Sequence, residues 1–414
     1  MTNKSITKSK YIKLILILGS LTALGPFSID MYLPGFAGIA KDLNTSVANV
    51  SMTLSSYFVG ISAGQLLYGP LLDRFGRKKP LFIGLLVYIL ASLGCVFVTD
   101  INTFIGIRFI QAIGSCAAAV ASVSMVRDLF PVKDIPKVFS LLMLVVGLSP
   151  MLAPTFGGYI TADYGWHTVF FILMSMGILI LLAAQIGLPN TFKPDTSISL
   201  KPKPIITNFI SILKEPQFYT YCFTGSIAFS GLFAYVAASP VLFMDIFKVD
   251  AKTYGWIFAF MSMSFIGASQ INSLLLRKFT SEKMIYGSLV VQSIISLLFL
   301  ILVMNNTIGL YETTGLLFLF LGCMGISNPN TAGLTLAPFS KNAGSASALM
   351  GAIQLGIGAL ASFAVGFFVK NSMLPMVVIM AVTTILALII LILGKRNIKK
   401  TIATSHDEGI ATVH

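Results

Sequence analysis

Twelve apolar windows run the length of this chain, near 14–35, 50–71, 80–98, 103–126, 138–160, 168–188, 218–242, 254–276, 284–304, 310–333, 345–369 and 374–394. Each approaches the roughly 20 residues that a helix needs to cross a hydrocarbon core. Inside lipid a backbone must satisfy its own hydrogen bonds, so runs of this length specify helices rather than open strands. Composition removes the soluble alternative. Only 10% of the 414 residues are charged and 56% are apolar, against about 25% charged in a typical soluble domain. The mean hydropathy is +0.88, so there is too little polar surface to coat a water-facing globule. The predicted fold class is an all-α membrane protein of twelve transmembrane helices in two six-helix bundles.

The net charge of +13 does not point to nucleic acid, because the basic residues sit in short clusters between the windows rather than on one face. With the N-terminus placed in the cytoplasm and the spans alternating, 23 of the 28 Lys and Arg residues fall on the cytoplasmic side. Lys41, Lys248, Lys252 and Lys370 fall opposite, and Arg108 lies within a window. That bias is a strong positive-inside signal and places both termini in the cytoplasm. The longest polar interruption, about 190–216, divides the chain into an N-terminal bundle (1–189) and a C-terminal bundle (217–396). A charged tail (397–414) follows and is expected to be disordered. Ile61-Ser-Ala-Gly-Gln65 recurs as Ile266-Gly-Ala-Ser-Gln270, each in the second span of its half, as in a duplicated transporter.

Several function classes find no support. Cys95, Cys116, Cys222 and Cys323 all lie in apolar stretches without metal-ligand spacing, and His167, His406 and His414 are the only histidines, so no metal site is expected. No hydrolase, zinc-protease or phosphate-loop motif occurs, which argues against an enzyme or a nucleotide-driven pump; no filter-like segment suggests a channel. The N-terminal apolar run continues through Leu33 without a cleavage site and reads as the first span. No cofactor is expected. Trp166 and Trp256, at window edges, read as interfacial anchors.

Four motifs occur in order along the first half. The first span carries Leu24-Gly-Pro26-Phe-Ser-Ile-Asp30-Met-Tyr-Leu-Pro34. The turn after the second reads Gly69-Pro-Leu-Leu-Asp73-Arg74-Phe75-Gly76-Arg77-Lys78-Lys79. The fourth span holds Arg108-Phe-Ile-Gln111-Ala-Ile-Gly114, and the fifth Gly147-Leu-Ser-Pro150-Met-Leu-Ala-Pro154-Thr-Phe-Gly157-Gly158. Together they resemble the major facilitator superfamily and, within it, the Bcr/CflA-type drug:proton antiporters. The second half departs from this pattern: its counterpart of the signature turn, Leu276 to Lys283, lacks the Asp-Arg-x-Gly-Arg core.

The resemblance implies proton-coupled export of small, moderately hydrophobic drugs by a monomer in a bacterial inner membrane; a metabolite transporter of the same fold is the alternative. It also implies a conformational latch. Asp73 would accept from the start of span eleven near Gly344–Ser347, Arg77 would pair with Asp128, and Arg74 and Gly76 would complete the turn. Gly147, Gly157 and Gly158 allow close helix approach, and Pro150 and Pro154 bend the helix; together they suit a gate where the halves meet. Thr22 stands where some related antiporters carry a second acidic residue, which tells against strongly cationic substrates.

Asp30 and Arg108 are the two charges well inside spans. Ionisable groups at that depth cost at least about 2.5–3.5 kcal/mol and are functional candidates by default. One reading makes Asp30 the proton carrier, tuned by its distance from Arg108; the other makes the two a buried structural pair, which contributes little net stability. Tyr57, Gln111, Ser115, Tyr235 and Gln354 are polar groups on apolar helices, hence candidates for the substrate cavity or for ordinary interhelical contacts.

Overall fold

The computed structural model describes residues 8–131, 134–189, 202–339, 343–368, 372–398 and 402. Among them the regular structure is helical. The first half comprises α1 (Lys8–Asp30), α2 (Phe36–Asp42), α3 (Val47–Phe75), α4 (Lys78–Val96), α5 (Ile101–Leu129), α6 (Ile135–Tyr164) and α7 (Trp166–Gly187). The second comprises α9 (Pro216–Pro240), α10 (Ala251–Leu275), α11 (Ser281–Met304), α12 (Leu310–Leu336), α13 (Ala343–Phe368) and α14 (Leu374–Lys395), with α8 (Pro202–Leu213) between the halves. Eleven helical segments are long and apolar enough to cross a membrane. The 29-residue α3 falls outside that set, yet it lies in the same bundle and matches the second window. Leu16, Leu90, Leu179 and Leu360 are 66–69% exposed, as expected where lipid is the solvent.

The two halves share one packing scheme. In the first, α5 packs on α3 and α4, α1 packs on α5, α6 and α7, and α4 packs on α7. In the second, α12 packs on α10 and α11, α9 packs on α12, α13 and α14, and α11 packs on α14. Each pair in one half has its counterpart at the same ordinal positions in the other, so the duplication is far plainer in three dimensions than in the five-residue repeat. Two cross-half contacts, α3 with α13 and α6 with α10, are likewise related by the duplication. The repeat segments lie on these seams: the Ser62 hydroxyl donates to the Ala352 carbonyl at 2.8 Å, and Ile266 packs beside Gly147.

Three segments depart from the sequence expectations. Within the predicted linker, α8 is amphipathic and docks on the second half: Ile212 is 1% exposed and packs with Phe218, Cys222, Ala346 and Leu349. The described part of the tail is also docked. Asn397 donates to the Tyr219 hydroxyl at 3.1 Å, and the Ile402 backbone bonds both ends of the buried Gln217 amide, at 2.9 and 2.8 Å; the rest of the tail lies outside the described residues. Finally, Trp166 is not an interfacial anchor. It is 3% exposed, its indole donates to Asp42 at 2.8 Å, and it packs among Phe104 and Phe170. Trp256 does lie at the surface, beside Tyr159.

Candidate functional site

Arg108 is fully buried on α5. Its guanidinium donates to the Ser28 carbonyl of α1 at 2.9 Å and to the Gln111 side-chain oxygen one turn along its own helix. The rings of Tyr32 and Tyr57 each lie 4.3 Å from its charge centre, with Phe170 at 5.8 Å. Hydrogen bonds to a charged group contribute about 1.5–3 kcal/mol each, and a desolvated cation–π contact about 2. That sum is comparable to the several kcal/mol an ion costs on burial, so this cation is accommodated without a carboxylate.

The surrounding polar groups form one continuous network. Gln111 donates onward to Ser92 at 2.7 Å, and Tyr57 donates to Ser115 at 2.7 Å. Tyr88 meets Ser28 at 2.7 Å, and Tyr32 meets Thr53 at 2.8 Å. Tyr57, Gln111 and Ser115, read as cavity candidates, are thus fully buried and satisfied inside the first half. Thr22 is buried too, bonded to Ser122 at 2.9 Å.

Asp30 does not pair with Arg108. No ion pair or hydrogen bond joins them among the described residues, and each is buried. The carboxylate lies instead within electrostatic reach of Tyr235 on α9 and Tyr254 on α10. The reason is rotational. Ser28 and Asp30 are two residues apart on α1, so their side chains point to different sides of that helix: the Ser28 hydroxyl meets Tyr88 inside the first half, while the Asp30 charge acts on two tyrosines of the second. Tyr235 is 1% exposed and its hydroxyl has no partner among the described residues. Of the five cavity candidates, Gln354 lies on a groove of the second half with Asn328, to which it donates at 3.0 Å, and with Tyr221, Ser226 and Thr331. The amide and threonine lining of that groove was not singled out from sequence, because isolated Asn and Thr residues on an apolar helix carry no periodic signal.

The glycine- and proline-rich stretch of α6 lies where the halves meet. Added β-carbons at Gly157 and Gly158 would overlap the carbonyl oxygens of Met31 and Ala251, and one at Gly255 would lie 2.8 Å from the Pro154 oxygen. Pro150 and Pro154 both fall inside α6. Beyond this seam Lys252 meets Asp163 at 2.8 Å and lies over the Tyr159 ring. With side chains 40% and 49% exposed, that pair is largely screened by solvent.

At the opposite end of the bundle, α3 stops at Gly76, whose φ of +82° is a conformation that favours glycine. The turn brings Arg77 between two carboxylates, Asp73 at 2.5 Å and Asp128 of α5 at 2.7 Å. Asp73 therefore engages its own turn, and no hydrogen bond from Gly344–Ser347 reaches it among the described residues. Arg74 is also engaged and lies near the Phe75 ring.

A duplicated six-helix packing scheme, twelve membrane-length helices and two separately buried ionisable residues set inside them define a polytopic transporter. Residues 18–363 match the Major Facilitator Superfamily model, and the chain belongs to that family. It is 33% identical over 393 residues to a bicyclomycin resistance protein homolog of Haemophilus influenzae, covering 95% of this chain and 98% of the relative. It is 29% identical to the multidrug resistance protein MdtL of Klebsiella pneumoniae, covering 88% and 94%. The fold superposes on a bacterial homolog of the human lysosomal transporter Spinster, in an inward-facing and occupied conformation, with a TM-score of 0.76, 12% identity, and 97% and 100% coverage.

Proposed function

We propose that this transporter exports small, moderately hydrophobic drugs or toxic compounds in exchange for protons, from a bacterial inner membrane with both termini in the cytoplasm. The observation that carries the reading is Asp30: a buried carboxylate at membrane depth with no cation paired to it among the described residues. A paired carboxylate is held ionised by its partner; an unpaired one in low dielectric exchanges a proton more readily. Proton entry supplies about 2.3 kcal/mol per 100 mV of potential. The names of the drug-resistance relatives support the substrate class, and the buried, uncharged Thr22 supports neutral over strongly cationic compounds. We assign the α6–α10 seam to the outer gate, closed in this conformation, and the halves to residues 1–189 and 217–396. The protein acts as a monomer, takes no cofactor and needs no nucleic-acid partner.

Uptake into inverted vesicles tests this reading. Wild type and Asp30→Asn are compared on labelled chloramphenicol, bicyclomycin, a sulfonamide and a lipophilic cation, with and without a protonophore. The expected result is accumulation of at least one neutral drug that collapses with the protonophore and drops at least tenfold in Asp30→Asn. Well-inserted protein that accumulates none of them indicates a metabolite transporter instead.

The Arg77 cluster is assigned to holding the cytoplasmic end of the first half together. Arg77→Gln removes the cation that Asp73 and Asp128 share. Its side chain is 12% exposed, so screening is partial, and a loss of about 1 kcal/mol or somewhat more corresponds to a three- to tenfold slower transport rate. The double variant Arg77→Gln/Asp128→Asn should recover part of that loss. Equal rates in the single and double variants would argue against charge as the cause.

A further inference from the structure

Around Asp30 and Arg108 each buried phenol but one has its proton committed. Ser28 donates to the Leu24 carbonyl and Thr53 to the Val50 carbonyl, so Tyr88 and Tyr32 must be the donors in their pairs. Tyr57 donates to Ser115. Ser239 donates to the Val236 carbonyl at 3.0 Å, so in its 2.8 Å contact with Tyr254 the phenol donates. Tyr235 alone retains an uncommitted proton. Its hydroxyl is buried without a partner among the described residues, and its ring is fixed by a stacked contact with Phe258 at 5.6 Å and 27°. A buried donor left unmade is costly, and the carboxylate whose charge acts on this hydroxyl is Asp30 of the other half.

We propose that Tyr235 is the donor through which the second half responds to ionisation of Asp30, so that a phenol–carboxylate bond between α9 and α1 ties proton release to the closed outer gate. This rests on the reading of Asp30 as the proton carrier. Ionised Asp30 accepts strongly from Tyr235; protonated Asp30 does so weakly, and the bond between the halves slackens. Of the other titratable or charged groups on the packed elements, Asp245 beyond α9 lies near Lys248 and Cys95 of α4 lies near Arg108, and the rest are engaged elsewhere. Arg108 of α5 turns to the Ser28 carbonyl, and Tyr88 of α4 is committed to Ser28. Tyr57 of α3 is committed to Ser115, and Tyr254 of α10 to Ser239. Asp163 of α6 meets Lys252 beyond the seam, and His167 of α7 stacks on Trp166.

The test needs no substrate. Infrared pH titration of the purified, ligand-free protein follows the protonated carboxyl band that disappears in Asp30→Asn. Tyr235→Phe removes one oxygen and keeps the ring stack. The ionised carboxylate then loses a donor, holds its proton to higher pH, and the midpoint should rise by about one pH unit, a tenfold change in proton affinity. The band itself should also shift in frequency. Tyr254→Phe, whose proton is spent on Ser239, should leave the midpoint within about 0.3 unit. An unchanged midpoint and band in Tyr235→Phe, or an equal shift in Tyr254→Phe, overturns the assignment of Tyr235. If Asp30→Asn removes no titrating band, the proton-carrier reading itself falls.

Discussion

Replacing Arg108 with lysine is expected to reduce transport at least about fivefold, although the charge is kept. The guanidinium spans two acceptors on different helices, the Ser28 carbonyl of α1 and the Gln111 oxygen of α5, and lies 4.3 Å from both the Tyr32 and Tyr57 rings. An ammonium is a compact point charge without the planar fork, so one acceptor is left unmet at a cost of about 1–3 kcal/mol. Arg108→Met leaves both unmet and should lower thermal stability as well, whereas the lysine variant should remain folded. Initial drug efflux rates with a thermal unfolding curve for each variant make the check. A lysine variant with wild-type efflux would show that charge alone suffices, and that the fork between α1 and α5 is incidental.

Gly158→Ala is expected to cost at least about fivefold in transport while leaving an inserted, folded protein. The new methyl group meets the Ala251 backbone across the α6–α10 seam, and a backbone cannot rotate away as a side chain can. Overpacking of this kind costs about 1–3 kcal/mol; where it acts in only one of two conformations it shifts their ratio about 5- to 150-fold. On the proposed assignment of this seam to the outer gate, the strain acts on the closed gate and not on the bundles themselves, so the population moves toward the outward-open form. A cysteine pair at Tyr159 and Trp256, whose side-chain tips meet at 3.4 Å, should be bridged readily by a bifunctional thiol reagent of matching length in the parent and poorly with Gly158→Ala. Unchanged cross-linking alongside unchanged transport would remove the seam from the gate.

How much of this was legible beforehand differs by residue. The span boundaries were, because transfer into lipid sums residue by residue along a window and needs no knowledge of neighbours. The close approach at Gly157 and Gly158 was legible as an expectation, since small residues leave room only for backbone. The partner of Arg108 was not: a backbone carbonyl such as that of Ser28 leaves no mark in a sequence. The burial of Trp166 was equally hidden, because its partner Asp42 lies in a connecting segment far along the chain.

By itself, then, the sequence determined the membrane class, the helix count and the position of each charge along its helix, since those follow from local hydropathy and spacing. It also placed the basic clusters between the spans. The tertiary structure alone decided which way each side chain turns. The packing of α1 gives the Ser28 carbonyl to Arg108 and leaves the Asp30 charge acting on Tyr235 and Tyr254 of the opposite half. Two buried charges that look like natural partners in one dimension are thereby assigned to different neighbours. Pairing energy depends on distance and on what else can satisfy each group, and only the packed helices set those.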